Sequence, residues 1–101
     1  MKIFEKRIFL QQIGMRLRRL RVNHYKTNKA IAAHLNITPQ AYGNIERGES
    51  DMCITRLIFL ASYYEISVLE LIPEEYRSFE NPQIGNSVKW QNILQEEMAN
   101  N

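Results

Sequence analysis

Three features of the sequence predict an all-α fold. Apolar residues recur at helical spacing in stretch after stretch, residues suited to helix caps stand between the stretches, and a single cysteine leaves apolar packing to hold the chain together. With 101 residues, 45% hydrophobic and 24% charged, four Gly and three Pro, the composition is that of one compact globular domain. The expected architecture is a five-helix domain with an N-terminal arm before it and an extra C-terminal amphipathic helix after it.

The first helix is expected over residues 11 to 23, where Leu10, Ile13, Leu17 and Leu20 repeat at helical spacing with Arg16, Arg18, Arg19 and Arg21 interleaved. At about 100° per residue the four apolar side chains fall in a sector of roughly 80°, and Arg21 lies only about 20° beyond its edge. Arg18 and Arg19 point well away. Arg21 is thus the arginine set to be partly buried, which calls for a carboxylate elsewhere in the chain.

Asn23 to Lys26 break the period, and Thr27 then caps a two-turn helix, residues 28 to 35, that turns Ile31, Ala32 and Leu35 inward. Asn36 tolerates the left-handed conformation of a tight helix exit, and Ile37 is an apolar plug between elements. Thr38 and Pro39 open the next helix, which runs to about Arg47 and ends at Gly48.

After a polar loop of Glu49, Ser50 and Asp51, a fourth helix carries Ile54, Leu57, Ile58, Ala61 and Tyr64, with Phe59, Leu60 and Tyr63 apolar on further faces. Ser67 and Glu70 match a capping box, so a short fifth helix starts at Ser67 and stops before Pro73. Residues 73 to 86, with Pro73, Pro82, Gly85 and three acidic residues, form a connector of little regular structure. From Ser87 to about Asn100, Trp90, Ile93, Leu94, Glu97 and Met98 share one side of a sixth helix. The divisions are therefore an arm (1–11), a domain (12–72), a connector (73–86) and a C-terminal helix (87–101) for packing or dimerisation.

Net charge is +2, but residues 1 to 65 carry eleven Lys/Arg against five Asp/Glu, and residues 66 to 101 carry two against six. A basic reading head and an acidic tail suit a polyanion partner for the first part and another task for the second. The longest apolar run is five residues, Leu57 to Ala61, and Lys6, Arg7 and Gln11 interrupt the apolar start, which excludes a spanning helix and argues against a signal peptide. A soluble cytoplasmic chain, associated with the nucleoid, is expected, with no membrane partner.

A two-turn helix, a tight turn and a second short helix, flanked by buried helices in a basic chain, form a helix-turn-helix layout. The residues go further. From Ile13 to Ile72 the chain closely resembles, without gaps, the Cro and phage-repressor helix-turn-helix family, the xenobiotic-response-element (XRE) type. The matching positions are Ile13-Gly14, Leu17, Leu20 and Arg21, then Ala32, Leu35, Ile37 and Thr38 across the turn. Ile45-Glu46-Arg47-Gly48 is the most recognisable signature, followed by Leu57, Leu60, Ala61, Ile66, Ser67, Leu71 and Ile72.

The resemblance implies an Arg21 to Glu46 ion pair, and the angular position of Arg21 already left it wanting a carboxylate. It also implies that the helix from Thr38 to Arg47 enters the major groove with Pro39, Gln40, Gly43 and Asn44 toward base edges. Gln40 and Asn44 each carry a planar donor and acceptor that match adenine N6 and N7. Gly43 costs about 1 kcal/mol against alanine in a helix interior, so clearance is its functional reading. Tyr42, usually aliphatic in relatives, is expected to put its ring in the core and its hydroxyl at an edge. Thr27, Asn28, Lys29, Thr38 and Arg47 are the expected phosphate contacts, Asn28 with a shorter reach than the family's usual glutamine.

Two departures stand out. Glu49 and Asp51 occupy a loop that is often basic in relatives and would repel phosphates. Phe59 and Tyr63 leave surplus apolar surface, for which the cover is the C-terminal helix, the arm with Ile3, Phe4, Ile8 and Phe9, or a second subunit. No catalytic residues are expected, since His24, His34 and Cys53 fall in different elements and no nucleophile, base and orienter set exists; no metal or cofactor is expected either. The function implied is a sequence-specific double-stranded DNA-binding transcriptional regulator, a repressor acting as a homodimer. The alternative is a protein-interaction module, an antitoxin or regulatory subunit that holds a protein partner through the C-terminal helix.

Overall fold

The structure, a computed structural model, describes residues 4–77 and 95–99. It is helical, with no strand among the described residues. The elements are α1 (Lys6–Asn23), α2 (Asn28–Leu35), α3 (Pro39–Glu46), α4 (Ile54–Tyr63), a 3-10 turn (Val68–Leu71) and α5 (Glu74–Arg77). Residues 95–99 are helical and exposed, whereas Trp90, Ile93 and Leu94 lie outside the described residues.

The core is the set the periodicity marks. Ile13 and Leu17 of α1, Ile31 and Ala32 of α2, Tyr42 and Ile45 of α3, and Leu57, Leu60 and Ala61 of α4 close around one centre with Tyr64 and Leu71. Leu20, Leu35, Ile37 and Ile66 pack at its margin. α1 crosses α3 closely because residue 14 is glycine: a Cβ there would run into the backbone carbonyls of Ile45 and Glu46.

All four main helices end the same way. A left-handed residue (Tyr25, Asn36, Gly48 or Glu65) follows each helix, and a pair of backbone bonds closes the last turn. After α3, for example, Gly48 N–H reaches Ile45 O at 3.1 Å and Glu49 N–H reaches Asn44 O at 2.8 Å. Only Gly48 is free of the Cβ penalty in that conformation, and a Cβ on it would also lie 2.6 Å from the backbone of Gln11.

Four expectations change. α1 begins at Lys6, so residues 6 to 11 of the expected arm are helix; Phe9 within them meets Phe4 and Tyr76 with ring centroids 5.2 and 5.1 Å away, a contact from a distant element that local periodicity does not show. The expected fifth helix is a 3-10 turn, because only a few residues separate its cap from Pro73. Leu69 N–H donates to Ser67 Oγ at 3.2 Å and Ser67 N–H to the Glu70 carboxylate at 3.0 Å. The connector opens with the single turn of α5, which buried Pro73 starts and Tyr76 anchors against Phe4 and Phe9. The Tyr42 hydroxyl is enclosed rather than at an edge, the whole residue being 0% exposed.

Part of the surplus aromatic surface is covered internally. Tyr63 packs edge-on against Tyr64, and the exposed rings of His34 and His24 rest on Tyr63 and Tyr64 respectively, all with centroids 5.0 Å apart. Phe59 stays 42% exposed.

Candidate nucleic-acid interface

The α2-turn-α3 unit is built by its caps. Thr27 Oγ1 accepts from Ala30 N–H at 3.1 Å, and Thr38 Oγ1 accepts from Ala41 N–H at 3.0 Å, so each helix starts with one first-turn amide satisfied by its cap, the others having no carbonyl partner within the helix. Pro39 takes the first position of α3, where its missing N–H loses nothing. Between the helices, left-handed Asn36 turns the chain and Ile37 N–H returns to Ala32 O at 3.0 Å.

Tyr42 and Ile45 anchor α3 from within, and an ion pair ties it to α1. Arg21 Nε donates to Glu46 Oε2 at 2.7 Å and Nη2 to Oε1 at 3.1 Å, a two-point contact between side chains only 14% and 6% exposed. Arg21 Nη1 also donates to Lys26 O at 3.0 Å, which holds the loop before α2. The Glu46 hydrogen bond raises the Arg21 pKa above its ordinary value, against the opposing effect of burial. Burial, and after it the neighbouring Glu46 carboxylate, holds the Tyr42 hydroxyl far above the usual tyrosine range, although that hydroxyl is within hydrogen-bond distance of no acceptor among the described residues.

With one face of α3 committed inward, Gln40, Gly43, Asn44 and Arg47 form the opposite stripe at spacings of three and four. Gln40 and Pro39 are exposed, Asn44 is half-buried, and Gly43 is covered. The cover is Arg47: a Cβ on Gly43 would lie 3.0 Å from Arg47 Nη1. The same guanidinium donates through Nη2 to Asn44 Oδ1 and through Nε to Glu49 Oε2, the latter at 3.2 Å.

Thr27, Lys29 and Thr38 are exposed at the two helix starts, while Asn28 is half-buried with its Oδ1 enclosed and without a partner among the described residues. Arg47, expected as a phosphate contact, lies on the same stripe as Gln40 and Asn44. The acidic loop is also not bare: Glu49 pairs with Arg47, and Asp51 accepts from Lys6 Nζ at 2.8 Å. Lys6 and Asp51 are 45 positions apart, so no local pattern signals their contact. The Arg47 to Glu49 contact does have a local signal, since a left-handed glycine between the two folds them back on each other.

The helix-turn-helix family model matches residues 17–71, more than half of the chain. The chain belongs to the Cro and phage-repressor type of helix-turn-helix proteins. Among solved structures, this helix-turn-helix chain is similar to the DNA-binding domain of BldD, with a TM-score of 0.59 and 26% identity over 66% of this chain and 97% of that one. A second structure, the BldD DNA-binding domain of S. venezulae, gives a TM-score of 0.58 and 26% identity over 65% of this chain and 99% of that one. No curated protein matches the sequence.

Proposed function

We propose that this chain is a sequence-specific double-stranded DNA-binding transcriptional regulator, a repressor that acts as a homodimer in the cytoplasm on nucleoid DNA. The observation that carries the proposal is the polar outward stripe of α3, on a helix clamped from behind by Arg21 and Glu46. A rigid helix with planar amides along its free side suits base edges in a major groove. Gln40 reads a base through its amide, Pro39 offers apolar contact, and Asn44 reads beside Gly43. The starts of α2 and α3, at Thr27, Asn28, Lys29 and Thr38, offer amides and partial positive charge to flanking phosphates. Family membership and the likeness to DNA-binding domains support the same reading. A helix-turn-helix fold also points to a regulator and away from catalysis.

The domain divisions keep their proposed roles: residues 12–72 bind DNA and 87–101 serve packing or dimerisation. One observation favours the protein-interaction reading, the exposed apolar side chains Ile54, Ile58 and Phe59 on α4.

Selection from random duplexes tests the regulator reading. A preferred near-palindrome is expected, with affinity falling steeply as salt rises. Gln40→Ala should relax preference at one base pair, whereas Lys29→Ala should weaken binding to every sequence alike. Uniform binding by the wild type, with no motif enriched, would sink the proposal and leave the protein-interaction role.

A further inference from the structure

Resting on that reading of α3, we infer that Asn44 and Arg47 act as one base-reading unit, positioned by Glu49, and that the unit selects guanine. Arg47 lies on the outward stripe of α3 with its guanidinium held at two points, Asn44 Oδ1 on one side and Glu49 Oε2 on the other. Of the five guanidinium N–H groups, Nε and one on Nη2 are engaged, which leaves three donors beside the two on the Asn44 amide nitrogen. The amide oxygen of Asn44 is the acceptor that adenine N6 would need, and Arg47 already engages one of its two lone pairs. What the pair offers is an edge on which donors outnumber the one remaining acceptor site.

Guanine is the base whose major-groove edge is a pair of acceptors, N7 and O6. Adenine presents a donor at N6 and cytosine one at N4, and either would meet a donor of the guanidinium or the amide. Gly43 belongs to the same device, because a Cβ there would press on Nη1 at 3.0 Å, and the guanidinium would have to give by a few tenths of an ångström from its place between Asn44 and Glu49. Glu49 touches no base in this arrangement. It is a positioning residue, brought beside Arg47 by the left-handed turn at Gly48 and the bond from its own N–H to Asn44 O at 2.8 Å.

The experiment is random-duplex selection with the full chain and with Asn44→Ala, Glu49→Gln, Arg47→Lys and Gly43→Ala, each variant checked for folding by thermal melting. Asn44→Ala identifies the base pair that the unit faces. The wild type is expected to select guanine there, and Glu49→Gln to lose about tenfold in discrimination at that pair alone. Arg47→Lys keeps the charge but loses the fork, so it should lose the same preference. Gly43→Ala, which gains helix propensity, should melt no lower than wild type and still lose it.

Three results would overturn the inference while leaving the proposed function standing. They are adenine at the identified pair, a Glu49→Gln protein that binds all sequences more tightly by one common factor, and an Arg47→Lys protein with unchanged preference. The second would mean that Glu49 acts only as a charge near phosphates, and the third that the fork of Arg47 held by Asn44 and Glu49 is not what reads the base. A wild type that binds duplexes with no motif overturns this inference together with the reading it rests on, and that outcome is distinct from the other three.

Discussion

Arg21 and Glu46 sit where desolvation is steep, and their two-point contact is what makes a buried pair tolerable. Removing one member strands the other, so Glu46→Gln or Arg21→Ala should lower stability by about 3 to 5 kcal/mol, read as the shift of a urea transition. The double replacement Arg21→Met with Glu46→Leu should retain more stability than either single, since it leaves no orphaned charge. Equal transitions for Glu46→Gln and wild type would show that the pair is energetically idle. The two enclosed tyrosine hydroxyls beside this pair, those of Tyr42 and Tyr64, have no hydrogen-bond partner among the described residues. Tyr42→Phe removes an unsatisfied group and should leave the transition unchanged or raise it by up to about 1 kcal/mol. Burial, then the nearby Tyr63 and Glu46, pushes Tyr64 up to about 12. The unfolded chain releases that proton near pH 10 and the native state holds it longer, so the contribution is fully present below about pH 10. It is lost as pH rises through about 12, and Tyr64→Phe should flatten the fall in urea midpoint over that window.

At the scale of elements, the chain stops its helices with left-handed residues but uses glycine for only one of the four. Glu65 and Tyr25 are exposed and hold φ of 56°, a conformation that disfavours any Cβ. Glu65→Gly is therefore expected to raise stability by about 0.5 to 1 kcal/mol in a thermal melt, less whatever entropy the unfolded chain gains. Gly48→Ala should do the reverse and by more, because strain at φ 73° adds to a clash with the Gln11 backbone. If the two substitutions moved the melting temperature in the same direction, the turn geometry would not be what limits stability. The caps of α2 and α3 were legible from Thr27 and Thr38 alone, since a hydroxyl bonding three residues ahead is a local interaction. The early start of α1 was not, because the Tyr76 ring against which Phe9 packs belongs to an element far along the chain.

On the scale of the whole molecule, the net charge of +2 conceals a basic head, and the acidic loop within that head is neutralised by Arg47 and Lys6. Exposed pairs of this kind contribute little to stability, so their effect belongs to binding. Asp51→Asn should leave the melt within about 0.5 kcal/mol of wild type, while freeing Lys6 and making the dependence of DNA affinity on salt steeper. An unchanged salt slope would mean that Lys6 lies away from the bound duplex. Lys29→Ala should make the slope shallower by about one, as expected for one lost phosphate contact.

By itself the sequence determined the order of helices, the capped turn between α2 and α3 and the residues of the core, because periodicity, capping and turn chemistry act over a few neighbours. It also carried the family signature at Ile45 to Gly48. Packing in three dimensions is what buries the Tyr42 hydroxyl, brings Lys6 to Asp51 and lays Arg47 across Gly43 between Asn44 and Glu49. Those outcomes depend on where a side chain finds its partner once separate elements have packed or a left-handed turn has closed, and spacing along the chain does not encode that distance.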